Sequence, residues 1–304
     1  MTDAVLLVSH GTVDDLNDLP AFVTNVRRGH PPSSELVAEL RRRYEAIGGR
    51  SPLDSISAAL AEKVERRLGV RAAWASRLWK PTVRDALEGL AREGVGRVAL
   101  VPLAQHSAHV YVEDARRAAT GTGATLVCAP SWGQSSRLHA AFAARIEATL
   151  ASAPELERTT LLFTAHSLPR SVIDAGDPYE RDFRAAAGAI AALVVERGRR
   201  DVHCAVAFQS QGMGGPGPGG RAVEWLGPDL GAALDLVAER GDRHVVFAPA
   251  GFLADHVEIL YDLDIEAREL ARSRGLSYAR IPSLNADADF VEVLVEVARP
   301  LLER

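Results

Sequence analysis

The sequence is short of cysteine, of a dominant charge sign and of long apolar runs, and each shortage closes off a class of protein. Only two cysteines occur, Cys128 and Cys204, each inside a strand-like run (TLVCAP and HCAVAF). That argues against a disulfide framework or a cysteine-rich metal site, and buried, reduced thiols are expected, as in a cytoplasmic protein. The net charge is −5 with no basic tail, so the electrostatic footprint of a nucleic-acid binder is missing. No apolar run nears the roughly 18 residues that a membrane span needs. The opening Met1-Thr2-Asp3-Ala4 has no basic segment ahead of an apolar one, unlike a secretory signal.

Three familiar chemical motifs are absent as well. No Gly-x-Gly-x-x-Gly leads from a strand into a helix, and the glycine cluster at 212–220 has no following Lys-Ser/Thr. Dinucleotide and phosphate-loop fingerprints are therefore missing. Ser167 and Ser210 lack the Gly-x-Ser-x-Gly elbow of the α/β hydrolases.

What is present is an alternation. Apolar runs at Val5–Ser9, Arg71–Ser76, Val98–Leu103, Thr125–Ala129, Thr160–Thr164, Val202–Phe208, His244–Ala248 and Ser277–Ile281 are separated by segments of helical period. Continuous apolar strands between amphipathic helices predict βαβ units with parallel sheets covered on both faces. Four strands fall in each half, so two doubly wound α/β domains are expected: residues 1–153 and 154–304. The first carries an insertion over 11–56 with one helical piece, Ser34–Ile47; the second includes a Gly/Pro-rich segment, 211–224, expected to be a mobile loop.

The halves resemble each other. Moving Pro81 onto Pro228 aligns Ala86-Leu87 with Ala233-Leu234, Ala91 with Ala238, Gly94 with Gly241, and Val98 with Val245. It also aligns Pro102 with Pro249 and His109-Val110 with His256-Val257, nine identities in about thirty positions. The first strands of the halves both end in histidine, His10 and His166. This is the pattern of an internal duplication.

Ligands of open parallel sheets bind beyond the carboxyl ends of the strands. The polar residues there are Ser9-His10-Gly11-Thr12, Arg77, Gln105-His106, His166-Ser167, Gln209-Ser210, and Asp255-His256 with Glu258. Glu258, Asp262 and Glu266 recur every four residues, predicting one face of a helix spanning Val257–Arg274. Stacked like charges weaken a helix, and the helix dipole favours only the first of them. A ladder of oxygen ligands for a hydrated divalent cation accounts for all three, and His with carboxylate suits iron, cobalt, nickel or zinc. Trp79 and Trp225 read as core, with Trp225 also a candidate wall for an aromatic ligand.

Seven segments in order resemble the ferrochelatases, which insert ferrous iron into a porphyrin. They are RRGHPP (Arg27–Pro32), RYEAIGGRSPL (Arg43–Leu53), TAHSLP (Thr164–Pro169), GDPY (Gly176–Tyr179), FQSQG (Phe208–Gly212), EWLGPDL (Glu224–Leu230) and PAGFLADHVEILYDLDIE (Pro249–Glu266). The resemblance implies two flavodoxin-like (Rossmann-like) domains. It implies His166 as the catalytic histidine, Glu258 as its carboxylate partner, and Asp262 and Glu266 as a continuing iron path. Porphyrin-holding positions are implied at His10, Arg27, Arg28, Tyr44, Ser51, Arg77, Ser210 and Trp225. His10 departs from the pattern, since Gram-positive relatives carry tyrosine there while the smaller cobalt and sirohydrochlorin chelatases carry histidine. His10 is thus a candidate axial metal ligand, beside His166, Glu258, Asp262 and Glu266 in the metal set.

No cofactor is expected, the ferrous ion being substrate, and no iron–sulfur cluster, because the chain lacks the cysteine-bearing extension of some members. The expected partners are porphyrin and iron, in a monomer with no membrane segment. Coproporphyrin III is favoured slightly over protoporphyrin IX. The alternatives are a chelatase for another metal, such as cobalt, or a non-catalytic porphyrin carrier.

Overall fold

The computed structural model describes residues 2–151, 158–198, 202–211 and 223–303. In chain order the first elements are β1 (Thr2–Ser9), α1 (Leu19–Val26), α2 (Ser34–Ala46), α3 (Leu53–Leu68), β2 (Arg71–Ser76), α4 (Val83–Arg92), β3 (Val95–Pro102), α5 (Ala108–Ala119) and β4 (Thr125–Cys128). There follow α6 (Ser136–Leu150), β5 (Thr159–His166), α7 (Arg170–Asp174), α8 (Tyr179–Glu196), β6 (His203–Gln209), α9 (Leu230–Glu239) and β7 (His244–Ala248). A short α10 (Val257–Leu260), a π-helical turn (Asp262–Ala267), α11 (Arg268–Ser273), β8 (Ser277–Arg280) and α12 (Ala288–Leu302) complete the described chain.

Every apolar run read as a strand is one. The strands form two four-stranded parallel sheets, ordered β2-β1-β3-β4 and β6-β5-β7-β8, the same permutation twice. In each sheet the inner strands are apolar along their length because helices cover both faces. Leu6, Val8, Val98 and Leu100 meet Leu87 and Leu90 of α4 in the first core. Leu162, Val245 and Phe247 meet Leu234 of α9, with Ile259 and Leu263, in the second.

The chain divides into compact units that differ from the contiguous halves of the sequence reading. Unit 1 comprises Met1–Trp132, Ala254–His256 and Leu284–Arg304; unit 2 comprises Gly133–Leu253 and Val257–Ser283. Helix α12, late in the sequence, therefore belongs to the first sheet, where it packs on α3 and β3. Lys63 Nζ donates to the Ala286 carbonyl at 2.5 Å, Arg67 pairs with Glu292, and Phe290 stacks on Trp132 with ring centroids 6.4 Å apart. Helix α6 packs on α8 and β7 of unit 2. An amphipathic pattern records that a helix is packed, not which sheet it packs on, so the boundary expected at residue 153 could not anticipate this exchange.

Three smaller expectations change. The insertion over 11–56 holds a helix the sequence did not suggest, α1, and also the first turn of α3. Cys204 is exposed on edge strand β6 rather than buried, while Cys128 is half-buried. Of the 211–224 segment, residues 212–222 lie outside the described residues. Among the described residues no helix is long and apolar enough to cross a membrane.

Candidate active site

In unit 2 the last residue of β5 is His166, half-exposed at the carboxyl end of the sheet. Its Nδ1 hydrogen bonds the Ser167 carbonyl. A carbonyl can only accept, so Nδ1 carries the proton and the neutral ring keeps its lone pair on Nε2. That nitrogen lies 3.7 Å from Glu258 Oε1. The histidine is braced from behind by the Tyr179 hydroxyl, which donates to the His166 carbonyl at 2.9 Å. Ser167 Oγ donates to the Leu226 carbonyl at 2.9 Å, and Pro169 bridges Trp225, which brings that half-buried tryptophan beside the end of β5.

Glu258 stands on α10. Gln209, ending β6, donates from its carboxamide to the Glu258 main-chain carbonyl at 3.0 Å and fixes that rung. The next residue, Ser210, has φ of 61°, a left-handed conformation unusual for a residue with a side chain. From there its hydroxyl donates to Asp262 Oδ2 at 2.5 Å. Ser210, expected on a porphyrin wall, is thus placed against the acidic segment.

The acidic segment itself is not the single α-helix that the spacing predicted. After four residues of α10 the backbone widens, with the Glu266 N–H reaching the Tyr261 carbonyl five residues back at 3.0 Å. Carboxylates four apart repel on an α-helix, and here the turn widens where acids are densest. Single π turns of this kind recur at functional sites. Ile259 and Leu263 anchor the segment in the core, so the acids differ in surroundings. Glu258 is partly buried, Asp262 is 3% exposed and Glu266 is exposed. Asp264 is matched by Arg280, which grips it with two bonds of 2.7 and 2.8 Å. Among the described residues no three His, Cys, Asp or Glu side chains gather at metal-holding distance.

Unit 1 holds the remaining expected residues. His10 follows β1, with its Nδ1 3.5 Å from the Tyr111 hydroxyl and its ring edge-on to Phe22. Arg77 lies 5.2 Å over the Tyr111 ring and pairs with Asp114, which also binds Arg117. Burial opposes ionisation of Asp114, but the two arginines hold it below the usual carboxylate range. Tyr44 is buried with its hydroxyl 2.8 Å from Thr12 Oγ1, and Ser51 is buried beside the start of α3, where it accepts from the Leu53 N–H at 3.4 Å. Arg27 closes α1, its Nε donating to the His30 carbonyl at 3.3 Å; Arg28 is exposed with φ of 55°. A groove of about 590 Å³ between α1 and α2, lined by Pro20, Pro31, Pro32 and Val37, includes none of these residues. Tyr179 and Tyr111 carry no site expectation from the sequence, although GDPY already contains the first, while Gln209 was expected at its strand end.

A model of the ferrochelatase family matches residues 2–301. The coproporphyrin III ferrochelatase of Anoxybacillus flavithermus is 35% identical, over 96% of this chain and 94% of its own length. The ferrochelatase of Thermus thermophilus is also 35% identical, over 97% and 99%, and the coproporphyrin III ferrochelatase of Listeria monocytogenes is 33% identical over 95% of each. Among solved structures, SirB from Bacillus subtilis with Fe3+ is similar in fold, with a TM-score of 0.60 at 15% identity, covering 99% of this chain and 96% of that one. The chain belongs to the ferrochelatase family, enzymes that insert iron into porphyrin.

Proposed function

We propose that this enzyme inserts ferrous iron into coproporphyrin III, with His166 as the group that accepts the protons the macrocycle gives up. The observation that carries the catalytic assignment is the Nε2 of His166, left with its lone pair by the Nδ1 bond and set 3.7 Å from a carboxylate. A free porphyrin has two pyrrole N–H protons, and insertion of Fe(II) releases both as H⁺. His166 takes each proton on Nε2, Glu258 stabilises the imidazolium that forms, and the proton passes on to water before the second transfer. Glu258, Asp262 and Glu266 run from partly buried through buried to exposed. That order suits a cation entering at Glu266, passing the buried Asp262 and reaching Glu258 beside His166, exchanging its water for carboxylate oxygen at each step.

The coproporphyrin assignment draws on the relatives that bear that name. Four propionates need more cationic and hydroxyl partners than two, and Arg27, Arg28, Tyr44, Ser51 and Arg77 are the candidates, with Trp225 and Ser210 near the end of β5. No cofactor is assigned beyond the substrate metal. The test is anaerobic turnover of Fe(II) with coproporphyrin III and protoporphyrin IX in turn. Coproporphyrin should be metallated faster, and His166→Ala should lower turnover about 10²–10⁴-fold with an unchanged circular dichroism spectrum. Turnover retained in the variant overturns the role of His166; faster use of protoporphyrin overturns the substrate assignment alone.

A further inference from the structure

Strand pairing fixes how the two units correspond. Ala4 pairs with Val98 across β1 and β3, and Thr160 pairs with Val245 across β5 and β7. Val98 and Val245 are partners in the sequence repeat, so Ala4 and Thr160 occupy one rung, and His10 and His166, each six residues on, are equivalent. Ala4 also pairs with Arg71 and Thr160 with His203, which equates Arg77 with Gln209 by the same step of six. After the third strand of each sheet the repeat sets Tyr111 on Glu258, two residues beyond His109 and His256. Main-chain bonds follow suit: Ser76 N–H to the Pro81 carbonyl at 2.7 Å, Phe208 N–H to the Pro228 carbonyl at 2.8 Å.

Each unit thus brings a side chain from this equivalent position against its strand-end histidine. The distances are similar, 3.7 Å from Glu258 Oε1 to His166 Nε2 and 3.5 Å from the Tyr111 hydroxyl to His10 Nδ1, on opposite ring nitrogens. The chemistry is not. Unit 2 offers a carboxylate whose own main-chain carbonyl accepts from the neutral Gln209, whereas unit 1 offers a phenol under the guanidinium of Arg77. A divalent cation is held well by imidazole with a carboxylate and poorly by imidazole with a phenol beside a fixed positive charge.

We propose that Tyr111 is the positioning residue of His10 and the residue that makes the two repeat-equivalent strand ends unlike. It engages the His10 imidazole through Nδ1, and it puts a hydroxyl at the repeat position where unit 2 has its carboxylate, so cation uptake is confined to unit 2. This rests on the reading that the cation arrives at Glu258 beside His166, and on His166 belonging to the metal set that the resemblance implies.

The test uses Co(II) alone as the probe, titrated into the full chain and followed by its visible absorption. Wild type should take one equivalent and His166→Ala none; if His166→Ala still takes one, the reading of unit 2 fails on its own. Tyr111→Glu should take a second equivalent, with a new absorption band, and adding His10→Ala should abolish the gain. Tyr111→Phe should stay at one. Should Tyr111→Glu lose its circular dichroism, Tyr111→Glu with Arg77→Gln reproduces the full unit 2 pairing and is titrated instead. A wild type that already takes a second ion through His10 would overturn the proposal. So would a folded glutamate variant that gains none, or a gained ion that survives His10→Ala.

Discussion

Asp54 lies in the first turn of α3, where the helix dipole favours a negative charge. It nonetheless has its pKa pushed up to about 7, by burial first and by the nearby charge of Asp14, with Arg50 opposing. One of its oxygens is buried without a hydrogen-bond partner. A folded-state value above the unfolded one means the native chain holds a proton the unfolded chain has lost. Stability from this group is therefore complete below the ordinary aspartate range and declines as pH rises through about 7. The full linkage would be about 4 kcal/mol, but the side chain is only half-buried, so about 1–2 kcal/mol is expected after screening. Asp54→Asn should narrow the gap in melting temperature between pH 5 and pH 8, chiefly by raising the value at pH 8. An unchanged gap would show that Asp54 is solvated. Nothing in the sequence marked this residue, because burial of a single carboxylate depends on what folds over it. His166 was legible for the opposite reason: it ends an apolar run, and strand ends are where such sheets place their chemistry.

The strands were readable because continuous apolar runs have few other uses. The acidic segment differs from its expectation because an acid every four residues looks the same before and after the backbone widens, and main-chain bonds such as that from Glu266 to Tyr261 distinguish the turn. A second unreadable feature lies between elements. Gly251 has an ordinary φ but sits so close to β5 that an added Cβ would fall 2.4 Å from Ala165 Cβ and 2.6 Å from Ala165 Cα. Those atoms belong to the residue before His166, and the Gly251 N–H bonds the Thr164 carbonyl at 3.0 Å. The glycine is therefore needed for approach, not for backbone freedom. Gly251→Ala should displace the end of β5, cost about 1–3 kcal/mol as overpacking does, and lower kcat more than it changes KM for the porphyrin. Thermal denaturation and steady-state kinetics check the two effects separately. Full stability with a normal kcat would mean that the loop, not the strand, gives way.

At the scale of the chain, the duplication of four strands is visible in sequence, while their order in each sheet and the ownership of helices are not. Helix α12 contributes Phe290, Val293, Leu294, Ala298 and Leu301 as buried side chains to the unit that begins at the other terminus. Phe290 is fully buried and stacks on Trp132, whose indole N–H donates to the Pro102 carbonyl at 3.0 Å at the end of β3. Truncating a buried phenylalanine to alanine costs about 3–5 kcal/mol, a large share of the ~5–15 kcal/mol that holds a domain folded. The loss should be spent where the side chain packs, not where it lies in the sequence. In Phe290→Ala, amide hydrogen exchange should accelerate in β1, β3 and α3, far away along the chain, while β5, β6 and β7 keep their protection. If instead exchange rises first in β7 and β8, which are nearer in sequence, α12 is not an element of unit 1. Equal acceleration everywhere would mean that the two units unfold as one, since local openings that differ in free energy are what separate them.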